Sequence, residues 1–514
     1  VGGFIGDLFN TTLSVSKADT VVLGTGSDTG GFVGRMEYGS VNTSGALGTV
    51  IGVGSTGGFA GSLTNSASVT TSYSNANVSS SGSNVGGFVG HFNTTGNVTN
   101  SRAAGSVTGV SYVGGFAGYV NNTGGISVSY ATGSVTASGD AAGGFIGYAY
   151  NNYAASKRTI SDFYATGAVT GTTNVGGLIG YAGYGNFNTG YATGVVTSTT
   201  SASSVGGAVG GLNTSTSSTN PTNVYYVVRN NLYFDSSRTG LSTDPAGGGG
   251  TGQATGMPTS SFWGTLGNVA NFSTTNWGTG TGLYPYLKAI YGSSTPQAIS
   301  GYAYKSDGTI AARAQVGIYG AGNLLNGGTV TTDLNGFFYE MVGNPAGSPL
   351  FSDSRLQIGS TTKLAHTLSL YGSSTVVGMG YSDTQVMSNG NLVIDGAVGG
   401  MGLVKQGLTQ LRSGAVSMSA LNSDMDDTMG ATAGTLNRAG FWSTLAANSS
   451  LELNATALSF NLNTALTYGK TTASNAGAMT FTGTSFTLSG GSLTSKLSQT
   501  FNGAVVLGAV TTLS

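Results

Sequence analysis

Val113-Gly114-Gly115-Phe116-Ala117-Gly118, followed by Tyr130-Ala131-Thr132-Gly133-Ser134-Val135, is the stretch on which the fold turns, because both halves recur along the chain. Gly-Gly-Phe-[Val/Ile/Ala]-Gly begins at Gly2, Gly30, Gly57, Gly86, Gly114 and Gly143, with variants beginning at Gly176 and Gly206. The starts lie 28, 27, 29, 28, 29, 33 and 30 residues apart. The second half returns as Tyr164-Ala165-Thr166-Gly167-Ala168-Val169 and Tyr191-Ala192-Thr193-Gly194-Val195-Val196, with looser copies beginning at Tyr38, Tyr73 and Arg102. A unit this short cannot bury its own apolar face, and stacking on neighbours is the physical remedy. Gly, Ser, Thr, Asn, Val, Tyr and Phe disfavour helix, while short alternating runs between turn residues read as strands. The expected fold is all-β: a parallel β-solenoid (β-helix) whose eight coils, at a strand spacing of ~4.8 Å, extend roughly 40 Å.

Alternation assigns the faces of the second motif. Ala131, Gly133 and Val135 share one side and are expected inside. Tyr130, Thr132 and Ser134 share the other, predicting an outward ladder of Tyr73, Tyr130, Tyr164 and Tyr191. The first motif is less decisive. Phe4, Phe32, Phe59, Phe88, Phe116 and Phe145 form one column that stacks inside the core or, alternatively, outside as an apolar stripe open to lateral association.

Composition removes several classes. Of 514 residues 90 are Gly, against roughly 7% in average proteins. No Gly-X-Y register accompanies them, and Pro numbers only 7, so collagen is excluded. Charged residues make up 7%, with a net charge of −1. That gives no counterion-release term for nucleic acid, and the near-neutral, 39% hydrophobic chain does not match the disordered class. No apolar run of ~18 residues predicts membrane insertion. Cysteine is absent, which removes disulfides, thiolate metal sites and a Cys nucleophile. The chain opens within one repeat and stops within a strand-like run, and it carries no signal-peptide pattern at Val1. We read it as an internal portion of a longer polypeptide.

Four segments are expected. Residues 1–222 hold the eight-unit solenoid, and 223–295 an irregular cap rich in Trp and Tyr. In 296–400 short strands with Asp307-Gly308 and Asn335-Gly336 turns predict a small β-sandwich-like module. Alternation at Leu451-Glu452-Leu453, Met479-Thr480-Phe481 and Thr500–Gly508 predicts a second β-helical segment over 401–514.

The GGFVG…YATGSVTG unit resembles the GLUG repeat of large secreted bacterial surface proteins, including filamentous-haemagglutinin-like adhesins. The likeness covers residues 1–290 and includes the closing segment with Asn276-Trp277-Gly278 and Tyr284-Pro285-Tyr286-Leu287. Residues 296–345 resemble a carboxypeptidase-regulatory-like or Ig-like module, and Thr500–Gly508 resembles a repeat of haemagglutinin-like β-helices. The resemblance implies an extracellular location at the bacterial cell surface and a structural, adhesive role in attachment or matrix formation. Its expected partners are surface glycans, matrix or the chain itself. A homopolymeric extracellular fibre subunit is the alternative, and a carbohydrate-active β-helix enzyme the less favoured one.

Catalytic constellations are thin. Residues 1–290 contain eight acidic and eight basic side chains, out of register between repeats, whereas glycosidases and lyases need carboxylates converging on one face. His91 and His366 are the only histidines, and neither lies in a His-Glu-x-x-His zinc-protease context. Asp424-Met425-Asp426-Asp427 could offer oxygen to calcium but lacks EF-hand spacing, so a solvated turn is expected. Gly247–Gly250 has no following Walker lysine and reads as a loop rather than a phosphate cradle. No catalytic residue, cofactor or metal is assigned.

Overall fold

The computed structural model describes side chains over residues 1–291, apart from 122–123, 151–157, 201–203, 214–226, 245–251 and 281–282, and over short stretches beyond 295. The remaining described strands, to residue 513, are defined by backbone pairing. The chain divides into two compact units, residues 1–295 with 326–333, and 296–325 with 334–514.

The first unit is a parallel β-solenoid. Each coil contributes one strand to an eight-stranded sheet, and every coil after the first contributes a two- to four-residue strand to a seven-stranded sheet. Its remaining short segments enter an 18-stranded wall. Repeats stack in register along these sheets. Gly86 pairs with Gly57 and Gly114, then Gly114 with Gly143, Gly143 with Gly176 and Gly176 with Gly206. Gly57 with Gly30 and Gly30 with Gly2 extend this column to the first copy.

Sterics explain why two glycines recur. A Cβ on Gly114 would meet the Ala117 carbonyl oxygen at 1.9 Å, inside its own corner. A Cβ on Gly115 would meet the Gly144 carbonyl oxygen of the next coil at 2.1 Å. The coil turns only where no side chain fills either space. Past that corner the Phe rings point inward. Phe32, Phe59, Phe88, Phe116 and Phe145 are buried, with consecutive centroids 4.7–4.9 Å apart. Phe4 stacks on Phe32 at 5.0 Å but is 48% exposed at the first coil. A smaller core of Val78, Val107, Val135, Val169 and neighbours lies by the seven-stranded sheet.

Two further columns set the corners. Thr43, Thr71, Asn100, Val128, Asp162 and Thr189 all have φ between 48° and 58°. One residue later comes a buried serine rail. Ser44, Ser72 and Ser101 each donate a backbone N–H to the hydroxyl of the next coil, at 3.2, 3.3 and 3.2 Å, the last to Ser129. Each hydroxyl donates in turn to a carbonyl two residues back, as Ser72 does to Thr70 at 2.8 Å. The polar atoms are thereby paired inside the wall, which is what makes their burial tolerable.

One looser repeat copy is corrected by register. Tyr38 stands outside the Tyr column, in a left-handed corner with φ 56°. Gly45 takes its place, pairing with Tyr73, whose ring fills the space a Gly45 side chain would need.

In the second unit Gln297–Tyr304 pairs antiparallel with Phe337–Val342 and with Ala365–Tyr371, and Gln315–Gly320 pairs antiparallel with Arg355–Gly359. Pairing then changes direction. Arg355–Gly359 and Ala365–Tyr371 pair parallel with Thr384–Ser388 and Leu392–Asp395. Parallel stacking continues through Val398–Lys405, Ala415–Ser423, Gly434–Arg438, Leu458–Leu462, Met479–Leu488 and Gln499–Leu507. The second parallel array thus begins ahead of residue 401.

Candidate functional site: two aromatic ladders, one covered and one open

The solenoid wall places Tyr73, Arg102, Tyr130, Tyr164, Tyr191 and Tyr233 at one register position, pointing away from the core that holds Ala131, Ala165 and Ala192. Tyr130 stacks on Tyr164 at 4.7 Å, and Tyr164 on Tyr191 at 5.1 Å. The expectation of a solvent-facing ladder is corrected here. Tyr130, Tyr164 and Tyr191 are 4%, 1% and 0% exposed. Residues of 259–280 and 283–291 lie over them: Trp277 sits 6.0 Å from Tyr191, Tyr284 stacks on Tyr191 at 6.0 Å, and Tyr291 on Tyr130 at 6.3 Å.

Carboxylates fasten this cover. Asp162, in its left-handed corner, accepts from the Trp277 indole at 2.7 Å and the Asn276 amide at 3.0 Å. Buried Asp235 accepts from Tyr284 at 2.5 Å and Thr259 at 2.7 Å. The Tyr191 hydroxyl donates to the Pro285 carbonyl at 2.6 Å. Burial holds the Tyr164, Tyr284 and Tyr291 phenols well above the ordinary tyrosine range. Trp and Tyr of the irregular segment therefore seal a side wall, a role the expected end cap did not include. Only Tyr73 of the four proposed ladder tyrosines keeps partial exposure, with the Arg102 guanidinium 5.0 Å from its ring centre.

A second ladder, on the eight-stranded sheet, is open. The residue after the third glycine of each motif points outward, so Ser62, His91, Tyr119, Tyr148 and Tyr181 align by strand register. His91 stacks on Tyr119 at 5.3 Å and Tyr148 on Tyr181 at 4.9 Å. Between these pairs Tyr119 and Tyr148 are edge-on at 61°, and the corner residue Tyr112 lies 4.4 Å from Tyr148. With Tyr150 at 6.1 Å, the five tyrosines and His91 form a half-buried patch. Burial raises the Tyr119, Tyr148 and Tyr181 phenols and lowers the His91 imidazole. The patch is neutral at pH 7. It offers ring edges and hydroxyls that both donate and accept.

Beneath the patch Arg158 is fully buried and donates to the Val120 carbonyl, and desolvation lowers its pKa to about 10. The sequence reading missed this ladder because it followed the Tyr-Ala-Thr-Gly motif. The signal was present as Gly118-Tyr119, Gly147-Tyr148 and Gly180-Tyr181.

At the C-terminal end of the coil stack, the backbone pattern itself is terminated. Within the array one carbonyl serves two amides: Phe88 and Val89 both donate to the Phe116 oxygen at 2.9 Å. At the last coil Ala208 and Val209 donate instead to Asp244 Oδ1, at 2.8 and 2.9 Å. Arg229 approaches the other carboxylate oxygen at 3.4 Å.

The Asp424–Asp427 side chains, the His366 side chain and Gly247–Gly250 lie outside the described residues. Comparison with protein-family models, with curated proteins and with solved structures returns no match.

Proposed function

We propose that this chain is a structural, adhesive rod segment of an exported bacterial surface protein of the GLUG-repeat, haemagglutinin-like kind, acting outside the cell in attachment or matrix formation. The open Tyr112, Tyr119, Tyr148, Tyr150 and Tyr181 patch carries the reading. A rigid wall presents neutral aromatic edges and phenol hydroxyls at coil spacing, a chemistry suited to hydroxyl-rich matrix surfaces. The role assigns the chain no reaction step.

A Tyr119→Ser, Tyr148→Ser, Tyr181→Ser triple variant of the full chain tests it. The side chains stand outside the core but stack on one another, so the variant is expected to stay folded with a lower thermal midpoint, and attachment is compared at a temperature where both proteins are folded. Retention on immobilised extracellular-matrix preparations is expected to fall about tenfold or more. Attachment equal to the parent protein would refute the role of the patch. The fibre-subunit reading is favoured by one observation: ring faces in the ladder are already occupied by neighbours, leaving edges suited to another wall. Sedimentation velocity on the same pair of proteins decides it, by the presence or absence of patch-dependent oligomers.

A further inference from the structure

Beside the last long strand of the solenoid, Val227–Asp235, lies a cleft of about 490 Å³, within the roughly 300–1,000 Å³ typical of small-molecule sites. Its polar lining is dominated by carboxamides: Asn230, Asn231, Gln253 and Asn271, with the Thr255 hydroxyl. Leu232 and Tyr233 also line it, and the Tyr233 hydroxyl is engaged by the Ala270 amide at 2.8 Å.

Hydrogen-bond accounting shows what the cleft has left to offer. Asn230 gives its amide to Asn188 at 3.1 Å, Asn271 gives its amide to Asn231 at 3.1 Å, and Gln253 gives its amide to the Asp244 carbonyl at 3.3 Å. The oxygens of Asn230, Gln253 and Asn271 remain, along with the second N–H of each of those amides, the Asn231 amide and the Thr255 hydroxyl. Asn231 and Asn271 hold their positions from left-handed backbone, at φ 54° and 60°. The only charged lining residue, Arg229, is 2% exposed and turned to Asp244. Donors and acceptors stand side by side, matching sugar hydroxyls that donate and accept at once, and the lining exposes no cation to hold a carboxylate or phosphate.

We infer that this cleft is a binding site for a neutral saccharide. The inference deepens the adhesive reading by naming a ligand class, but its geometry is separate from the aromatic patch. The test is saturation-transfer NMR and titration of the full chain with lactose, cellobiose and maltose, with sialyllactose as the charged probe. At least one neutral disaccharide is expected to bind. A double variant, Asn271→Gly with Gln253→Ala, removes two acceptors while keeping a residue that tolerates positive φ, and it should weaken binding by about tenfold. The Tyr148→Ser variant should bind as the parent does. No binding of any neutral probe, binding of sialyllactose alone, or affinity unchanged in the double variant would each overturn the inference. Disaccharide binding that persists when matrix attachment is absent would refute the adhesive role and leave the cleft standing.

Discussion

Single residues in this solenoid carry strain in a repeating place. Val128 has φ 48° and Thr71 φ 49°, in a corner column where Asn100 sits comfortably. Left-handed backbone crowds Cβ against the following carbonyl, costing roughly 1–2 kcal/mol, and β-branched residues suffer most. Asn relieves this by local hydrogen bonding. Val128→Asn should therefore raise stability by about 1 kcal/mol, read as a higher thermal midpoint, and an unchanged or lowered midpoint would contradict the strain argument. Residue-scale legibility follows from side-chain chemistry. Gly114 and Gly115 were visible because only glycine fits both contacts. The corners were not, because Val128 gives no hint of a left-handed turn. The serine rail was similarly hidden, since Ser72 and Ser101 look like any polar residue before a strand.

At the scale of elements, the termination of the stack by Asp244 has a pH signature. Burial pushes its carboxyl from the ordinary value of 3.8 up to about 6, against the lowering pull of the Val209 and Ala208 amides and Arg229. The folded state then binds more protons than the unfolded chain between about pH 4 and pH 6, so stability declines as pH rises through that window. The shift corresponds to a contribution on the order of 3 kcal/mol. Urea midpoints for the parent and for Asp244→Asn should diverge between pH 4.5 and 7, with the variant's slope flatter; parallel slopes would rule Asp244 out as the titrating group. The variant keeps an acceptor oxygen for the two amides. Element-scale legibility also had a limit. Strand identity and stacking followed from Tyr130, Tyr164 and Tyr191 recurring with their alanines, yet the same alternation could not reveal that Trp277 and Tyr284 cover those rings. Burial of an outward face is decided by another segment, folding back from more than eighty residues away in the case of Tyr191 and Trp277. Alternation within one strand carries no record of it.

Across the whole first unit, one end of the coil stack is closed from within the chain. The final coil is covered by Asp244 and by Phe234, which fills the space beside Gly207. Repeat arrays unfold approximately as nearest-neighbour chains, so an uncovered final coil would open before those with two neighbours. Hydrogen exchange at Ala208 and Val209 should therefore be as slow as over the coils around Phe88, Phe116 and Phe145, and faster in Asp244→Ala. Fast exchange at Ala208 and Val209 in the parent protein would show that Asp244 does not close the stack. The in-register glycine column has a genetic consequence too. Because each repeat docks onto its neighbours through the same glycine contacts, duplicating or excising one whole unit ahead of the covered coils leaves every glycine junction of the same kind. Unequal recombination can therefore lengthen or shorten the shaft by ~4.8 Å per step, making reach a trait that selection can tune without inventing a new fold.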